Sequence, residues 1–195
     1  MTDRTLRLLA RGVFALAIVE LVTSGALEIA AGRAGSDAGF GGGEVVFLFA
    51  FLLFPIVGLV LASRRPGNSL GWILLAIGVF AFEPLSSYAD LAIATGRPGG
   101  VLALALTSWT WVPMIVLAGV YVLLLFPDGH LPSPRWRWFA RAVGVGSALT
   151  AVAILLSSGD FSDSGYPDLQ NPLAIDALTR SSGCCSRRSS RSPSG

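Results

Sequence analysis

The sequence predicts an all-α protein: a polytopic bundle of about five transmembrane helices, followed by a disordered C-terminal tail. Of the 195 residues, 53% are apolar and only 13% are charged, which is about half the charged share of soluble globular proteins. So few charges cannot coat a soluble domain of this size, so lipid must cover much of the surface. Five long apolar stretches with short Gly- and Pro-rich connections supply the spans.

Each stretch is long enough to cross a hydrocarbon core of about 30 Å. They cover residues 12–31, 45–62, 70–89, 101–126 and 139–158. A basic N-terminal segment precedes the first stretch, as in a signal peptide, but Glu20 interrupts the apolar run, which favours a retained anchor. Pro55 in the second stretch and Pro84 in the third are compatible with membrane helices. The predicted parts are a cytoplasmic segment 1–11, a helix bundle 12–158, an extracytoplasmic segment 159–180 and a tail 181–195.

The placement of arginine predicts the orientation of the bundle. With a cytoplasmic N-terminus, eight Arg lie inside: Arg4, Arg7, Arg11, Arg64, Arg65, Arg135, Arg137 and Arg141. Only Arg33 and Arg97 then lie outside before the end of the fifth stretch. Cytoplasmic connections of membrane proteins carry such an excess of positive charge. We therefore expect a plasma-membrane protein with its N-terminus in the cytoplasm.

The tail over residues 181–195 has a different composition from the bundle. It holds seven Ser and three Arg, and no Leu, Ile, Val or Phe, so it is predicted to be disordered. Cys184 and Cys185 next to Arg allow two interpretations. One is a contact with lipid or a polyanion, with palmitoylation. The favoured one is a tail without a role, at the truncated or out-of-frame end of a longer protein.

Three carboxylates lie inside the apolar stretches: Glu20, Glu28 and Glu83. Burying them in a membrane is costly, so a functional role is the default hypothesis. Glu20, Ser24 and Glu28 follow each other at intervals of four residues, which places them on one helix face. The specific interpretation is a proton or cation path. The simpler alternative is that Glu28 and Glu83 lie near the outer interface and reach water.

The remaining residues exclude several classes of protein. No GxxxxGK[ST], GxGxxG, HExxH or GxSxG motif occurs, so we expect no ATP-binding module, no metal or cofactor site and no catalytic residues. A net charge of +2 argues against a nucleic-acid partner, because phosphate contacts need clustered cations. The lipid bilayer is the expected partner, with a second copy of the chain or another signalling protein as the candidate protein partner.

Three segments resemble a known family. Residues 63–78, SRRPGNSLGWILLAIG, are similar to an RRP-x-NP-x-GW segment in the membrane input regions of bacterial sensor histidine kinases. Residues 126–136, FPDGHLPSPRW, resemble the LFPDGRLPSPRW loop of those proteins, and Asn171-Pro172-Leu173 resembles their NPLG element. The chain departs from the pattern at Ser69, where Pro is usual, and at Ala174, where Gly is usual. The family would continue into a sixth span and the kinase domains, whereas this sequence turns to Ser and Arg.

The resemblance implies a sensory input region of a two-component system without catalytic activity of its own. The alternative is a small transporter or proton-handling protein that uses the intramembrane Glu residues. The two cytoplasmic loops, residues 64–69 and 127–137, are predicted to anchor helix ends at the inner leaflet. Their Arg would lie at anionic headgroups and the neighbouring Trp at the interface. The predicted anchors are Arg64, Arg65, Trp72, Arg135, Trp136 and Arg137.

Overall fold

The computed structural model describes residues 3–34, 42–131, 133–157, 160–161 and 164–175. The helices of these residues are α1 (Asp3–Arg33), α2 (Gly42–Arg64), α3 (Ser69–Ala81), α4 (Pro84–Thr95), α5 (Gly100–Thr107), α6 (Trp111–Val116), a π-helical segment (Leu117–Tyr121), α7 (Val122–Leu125) and α8 (Pro134–Leu155). A ribbon of two short strands follows, β1 (Asp160–Phe161) and β2 (Tyr166–Gln170).

Five helical spans are long and apolar enough to cross a membrane within the described part of the chain. They are Asp3–Arg33, Val46–Arg64, Ser69–Thr95, Gly100–Leu125 and Pro134–Leu155, numbered here as spans 1 to 5. The prediction of an all-α bundle with five spans is confirmed. The disordered tail predicted at 181–195, with Cys184 and Cys185, lies outside the described residues.

Three helical segments extend beyond the predicted apolar stretches. Helix α1 begins at Asp3 rather than at residue 12, so most of the predicted N-terminal segment is helical. Span 3 continues to Thr95 instead of ending at residue 89. Helix α8 begins at Pro134 rather than at residue 139, because proline is favoured in the first helical position, where no N–H is needed. Arg135, Trp136 and Arg137 therefore belong to the first turn of α8.

Span 3 is interrupted between α3 and α4 at Phe82 and Glu83. Proline disfavours helical geometry in the residue before it, and Glu83 before Pro84 is extended, with φ −61° and ψ 128°. The Glu83 side chain then caps α4, since its Oε2 accepts a hydrogen bond from the N–H of Leu85 at 3.1 Å. The break thus lies near the middle of the span.

Span 4 is interrupted as well, between α5 and α6. The hydroxyls of Thr107, Ser108 and Thr110 each donate to the backbone carbonyl three residues earlier, at 3.2, 2.8 and 2.8 Å. Such bonds offer the backbone an alternative to regular helix and bend it. Pro113 in α6 removes a further N–H donor.

Close helix contacts hold the spans together. Helix α2 packs against α3, and α1 contacts α2, α3 and α4. A Cβ on Gly58 would lie 2.8 Å from the backbone nitrogen of Leu75, and one on Gly71 would lie 2.8 Å from that of Ala62. Only glycine permits such an approach of two backbones, which is a common way to pack helices in membranes.

The bundle has two distinct ends. Ala10 near the start of α1, Ala62 near the end of α2 and Leu75 in α3 form one buried cluster, and Leu70 of α3 packs with Leu125 of α7 in another. The N-terminus and the connections 65–68 and 126–133 therefore share one end, called here the basic end. The opposite end, called the ribbon end, carries the turn 96–99 and the ribbon.

The ribbon packs back onto the bundle. Its two strands pair antiparallel, and Phe161 of β1 is buried against Ala89, Ala103 and Ala105. The sequence predicted this region only as an extracytoplasmic segment, because strands this short leave no periodic pattern. The segment forms part of the wall of the site described next.

Candidate functional site

A polar cavity of about 600 Å³ lies at the ribbon end of the bundle. The two interrupted spans, the end of α8 and the ribbon all contribute to its wall. Its polar lining residues are Glu83, Ser86, Asp90, Thr107, Ser108, Thr110, Ser157, Ser164 and Asn171. Irregular backbone is tolerated at membrane depth where it is buried in protein or lines a water-filled cavity, and the breaks of spans 3 and 4 both adjoin this space.

Two carboxylates face the cavity. Glu83 Oε2 accepts from the N–H of Leu85 at 3.1 Å, and Asp90 Oδ1 accepts from the Tyr166 hydroxyl at 2.8 Å. Glu83 is the N-cap of α4 and Asp90 lies within α4, seven residues later, and both line the same cavity. No Arg, Lys or His lines this cavity. The site is therefore negatively charged while both groups are ionised.

The carboxylates of α1 approach α4 in two places. Ser24 Oγ lies 2.7 Å from Ser87 Oγ, and the Ser87 hydroxyl donates to Glu28 Oε1 at 3.1 Å. Spans 1 and 3 run in the same direction, and Glu20 and Glu83 each lie one turn before the bonded Ser24 and Ser87, which brings the two carboxylates near each other. Glu20 Oε2 is buried and makes no hydrogen bond within the described ranges.

The positions of Glu20, Glu28 and Glu83 in the structure can be compared with the two interpretations of these carboxylates given by the sequence. Glu20, Ser24 and Glu28 turn towards the neighbouring helices, as their spacing predicts. Glu83 lies at the interruption of span 3, 12 residues before the span ends at Thr95, and whether it reaches water at the outer interface stays a prediction. Glu28 does lie close to the end of α1 at Arg33. A functional role for the three carboxylates stays a prediction.

Sequence reasoning missed Asp90 as a site residue. The predicted end of span 3 at residue 89 left Asp90 in a connection, where a carboxylate needs no explanation. Its spacing of seven residues from Glu83 was the signal that would have found it. The Tyr166 partner of Asp90 lies 76 positions along the chain, and no local pattern indicates that contact.

Asn171 closes the cavity next to α8. Its Nδ2 donates to the carbonyls of Leu155 and Ser157 at 2.9 and 2.8 Å, and its Oδ1 accepts from the N–H of Leu173 at 2.9 Å. The last carbonyls of a helix have no partner within the helix, and here Asn171 supplies one. The Asn-Pro-Leu element thus forms a structural joint between α8 and the segment after the ribbon.

At the basic end, the two loops that carry the family resemblance contact each other. Asn68 Oδ1 accepts from the N–H of Leu70 at 2.9 Å and caps α3. Gly129, with φ of 73°, lies against the Asn68 amide so closely that a Cβ would overlap it. Within the first loop, the Trp72 indole N–H donates to the carbonyl of Pro66 at 3.0 Å.

The predicted anchors all lie at the basic end. Arg64, Arg65, Arg135, Trp136 and Arg137 are exposed, whereas Trp72 is half-buried. The Trp136 ring meets Phe139 edge to face, with centroids 5.4 Å apart. This placement is compatible with headgroup contacts, and the anchoring role stays a prediction.

No group of three or more His, Cys, Asp or Glu that could hold a metal ion occurs among the described residues. No protein-family model, no curated protein and no solved structure matches the chain. The resemblance to sensor kinase input regions therefore rests on the three quoted segments alone.

Proposed function

We propose that this chain is the sensory input region of a bacterial two-component system, embedded in the plasma membrane with its N-terminus in the cytoplasm and without catalytic activity of its own. The observation that carries the proposal is the contact between Asn68 and Gly129. It joins the two loops that resemble the kinase input regions, so the resembling residues build one joint rather than two unrelated turns.

The layout of span 3 supports the same function. Its first residue follows the Asn68 cap at the basic end, and its second half carries Glu83 and Asp90 in the wall of the cavity. A ligand that binds one arrangement of α3 and α4 better than another shifts the population towards that arrangement. The interruption at Phe82 and Glu83 is where the two helices can change their relative angle.

A deletion and complementation experiment tests the sensory role. Transcript levels are compared between cells with the gene, without it, and with it restored as wild type or as the double variant Glu83→Gln/Asp90→Asn. We expect the deletion to change a defined set of transcripts, and the double variant to fail to restore them. The matched control Asp168→Asn removes an exposed carboxylate from β2 and should restore them. Transcripts unaffected by the deletion under every growth condition tested would refute the sensory role.

A transport function is the second candidate, and the two facing helix interruptions favour it. In many transporters, interrupted helices build the substrate or ion site near the middle of the membrane. Here Glu83 lies at such an interruption, and the buried Oε2 of Glu20 on the neighbouring α1 makes no hydrogen bond within the described ranges. Proteoliposomes with a trapped pH-sensitive dye test it. Proton flux above that of empty vesicles, lost in Glu20→Gln and kept in Asp128→Asn at the exposed basic-end loop, would favour transport over sensing.

We expect the purified chain neither to bind ATP nor to phosphorylate itself. Its sequence has no GxxxxGK[ST] loop to hold the phosphates. Equilibrium binding of labelled ATP to the protein in detergent measures this directly. Saturable binding that excess unlabelled ATP displaces would contradict the expectation.

A further inference from the structure

We propose that the cavity at the ribbon end binds a small organic ammonium cation between Glu83 and Asp90. The inference deepens the proposed sensory function, on which it rests, by naming the chemical class of the ligand.

The size of the cavity is the first argument. At about 600 Å³, the cavity falls within the range of about 300–1,000 Å³ that small-molecule sites occupy, which is far more than a bare metal ion needs.

The charge of the lining is the second argument. Glu83 and Asp90 both line the cavity, and no cationic side chain lies among its lining residues. Glu20 is not among the lining residues, but it places a third carboxylate near Glu83. The hydrogen-bond donors to these carboxylates include the Leu85 N–H and the Tyr166 hydroxyl, which are neutral, so these bonds compensate neither charge. A cationic ligand would supply the compensation.

The hydroxyl groups give the third and most specific argument. Thr107, Ser108, Thr110 and Ser157 each donate their only hydroxyl proton to a backbone carbonyl, at 3.0, 2.8, 2.8 and 3.0 Å. A hydroxyl that has donated its proton keeps lone pairs that accept hydrogen bonds. These side chains can therefore offer only acceptors to a ligand. Together with the two carboxylates, these four acceptors favour a ligand rich in N–H donors, and an alkylammonium group is the simplest one.

Two features favour an organic over an inorganic cation. Trp111 lines the cavity, and tryptophan is the aromatic residue that attracts ammonium groups best. Its apolar neighbours Leu104, Ile154 and Phe161 suit a short alkyl chain.

Binding to the full-length protein in lipid nanodiscs tests the inference. The probes are n-butylamine and 1,4-diaminobutane, with 1,4-butanediol as the neutral analogue and Mg²⁺ as the inorganic cation. We expect saturable calorimetric binding of at least one amine and none of the diol. If neither amine bound, or if the diol or Mg²⁺ bound as tightly as the better amine, the proposal would be wrong.

Three variants locate the site. Glu83→Gln and Asp90→Asn keep the shape of the side chain and its acceptor oxygen, and each should weaken amine binding at least about tenfold, because each removes one charge-assisted hydrogen bond. Asp168→Asn, exposed on β2, is the matched control and should bind like wild type. Equal affinity in all three variants would overturn the proposal. Should a variant fail to fold, as judged by elution and circular dichroism, the comparison of amine with diol on the wild type still decides.

The outcome can be separated from that of the sensory role. Amine binding without any transcript response to gene deletion would support the site and refute the sensory function. A transcript response in a protein that binds no amine would refute the site and leave the sensory function in place.

Discussion

At the scale of single residues, three polar side chains of this apolar chain serve as helix caps. Asn68 caps the start of α3, Glu83 the start of α4, and Asn171 the end of α8. Helix ends leave backbone N–H and C=O groups without partners, and inside a membrane no water replaces them. Two of these caps, Asn68 and Asn171, belong to the segments that resemble sensor kinase input regions. Within the resembling segments, Asn68 and Asn171 therefore have a structural role as helix caps.

The contact between Gly129 and Asn68 yields a prediction with an internal control. Gly129 and Gly96 have similar positive φ, 73° and 66°, so an alanine at either position costs about 1–2 kcal/mol from the backbone. Only at Gly129 would the new methyl group also displace the Asn68 cap, which is worth about 1 kcal/mol. We expect Gly129→Ala to lower the free energy of unfolding by about 1 kcal/mol more than Gly96→Ala. Thermal unfolding of both variants in the same detergent measures the difference. Equal losses of unfolding free energy would show that the Asn68 side chain moves aside without cost.

At the scale of elements, α8 has hydrogen bonds to other segments near both of its ends. The Tyr121 hydroxyl donates to the carbonyl of Ala140 at 2.6 Å near the start of α8, and Asn171 holds its end. Between them, α8 packs against α6 and exposes large apolar side chains, among them Val145 at 60% and Leu149 at 66%. An exposed apolar face of this kind suits lipid. The position of α8 at the cavity therefore depends on its end contacts.

Asn171→Ala should loosen the end of α8. The change leaves the carbonyls of Leu155 and Ser157 without the Asn171 amide, and an unsatisfied buried polar group costs about 1–3 kcal/mol. We expect a lower unfolding temperature and faster proteolysis within the segment 160–175. Gln170→Ala, exposed at the end of β2, is the control and should behave like wild type. Proteolysis of Asn171→Ala at the wild-type rate would contradict the assigned cap.

The arginines of the basic end should influence orientation more than folding. Arg64 and Arg65, like Arg135 and Arg137, are exposed, and each Arg near an anionic membrane surface is worth about 1 kcal/mol. Replacing either pair by Gln should increase the fraction of inverted protein, measured by site-specific labelling. The matched control Arg33→Gln/Arg97→Gln removes the charges of the opposite end and should not. Unchanged orientation and yield in both basic-end variants would instead favour docking of a signalling partner on these loops.

At the scale of the whole molecule, the bundle separates two kinds of surface. The basic end gathers exposed Arg and the joint between Asn68 and Gly129, and the ribbon end holds the acidic cavity. Span 3 connects them, with the cap at one end and the cavity carboxylates beyond its interruption. The proposed sensory function needs these two ends on opposite sides of the membrane, which makes the orientation of the bundle a decisive measurement.

The orientation can be read from two engineered cysteines in a background with Cys184→Ser and Cys185→Ser. We expect an impermeant thiol reagent added outside intact cells to label Asp168→Cys and to leave Gly67→Cys unlabelled. Both positions are exposed, and a Cβ at Gly67 meets no atom within 4 Å, so access alone decides the result. Labelling of Gly67→Cys from outside would refute the proposed topology.

The amino-acid sequence by itself determined the five spans and the alternation of their ends. Both depend on local properties: the length of an apolar run matches the thickness of a bilayer, and arginine counts distinguish the connections. The carboxylate face of α1 was predictable for the same reason, because spacing along one helix sets it. Span ends were less certain, since the polar residues near them, such as Asp90, fit a connection as well as a helix.

Only the tertiary structure decided how the interrupted spans meet. The breaks at Glu83 and at Ser108 adjoin one cavity, the Asn68 loop contacts the Gly129 loop, and Asp90 binds Tyr166 across 76 positions of the chain. None of these pairings has a periodic or compositional signal. They arise because polar groups exposed by a helix interruption must find partners inside a bundle without water, and which partners lie within reach depends on the packing of all the spans.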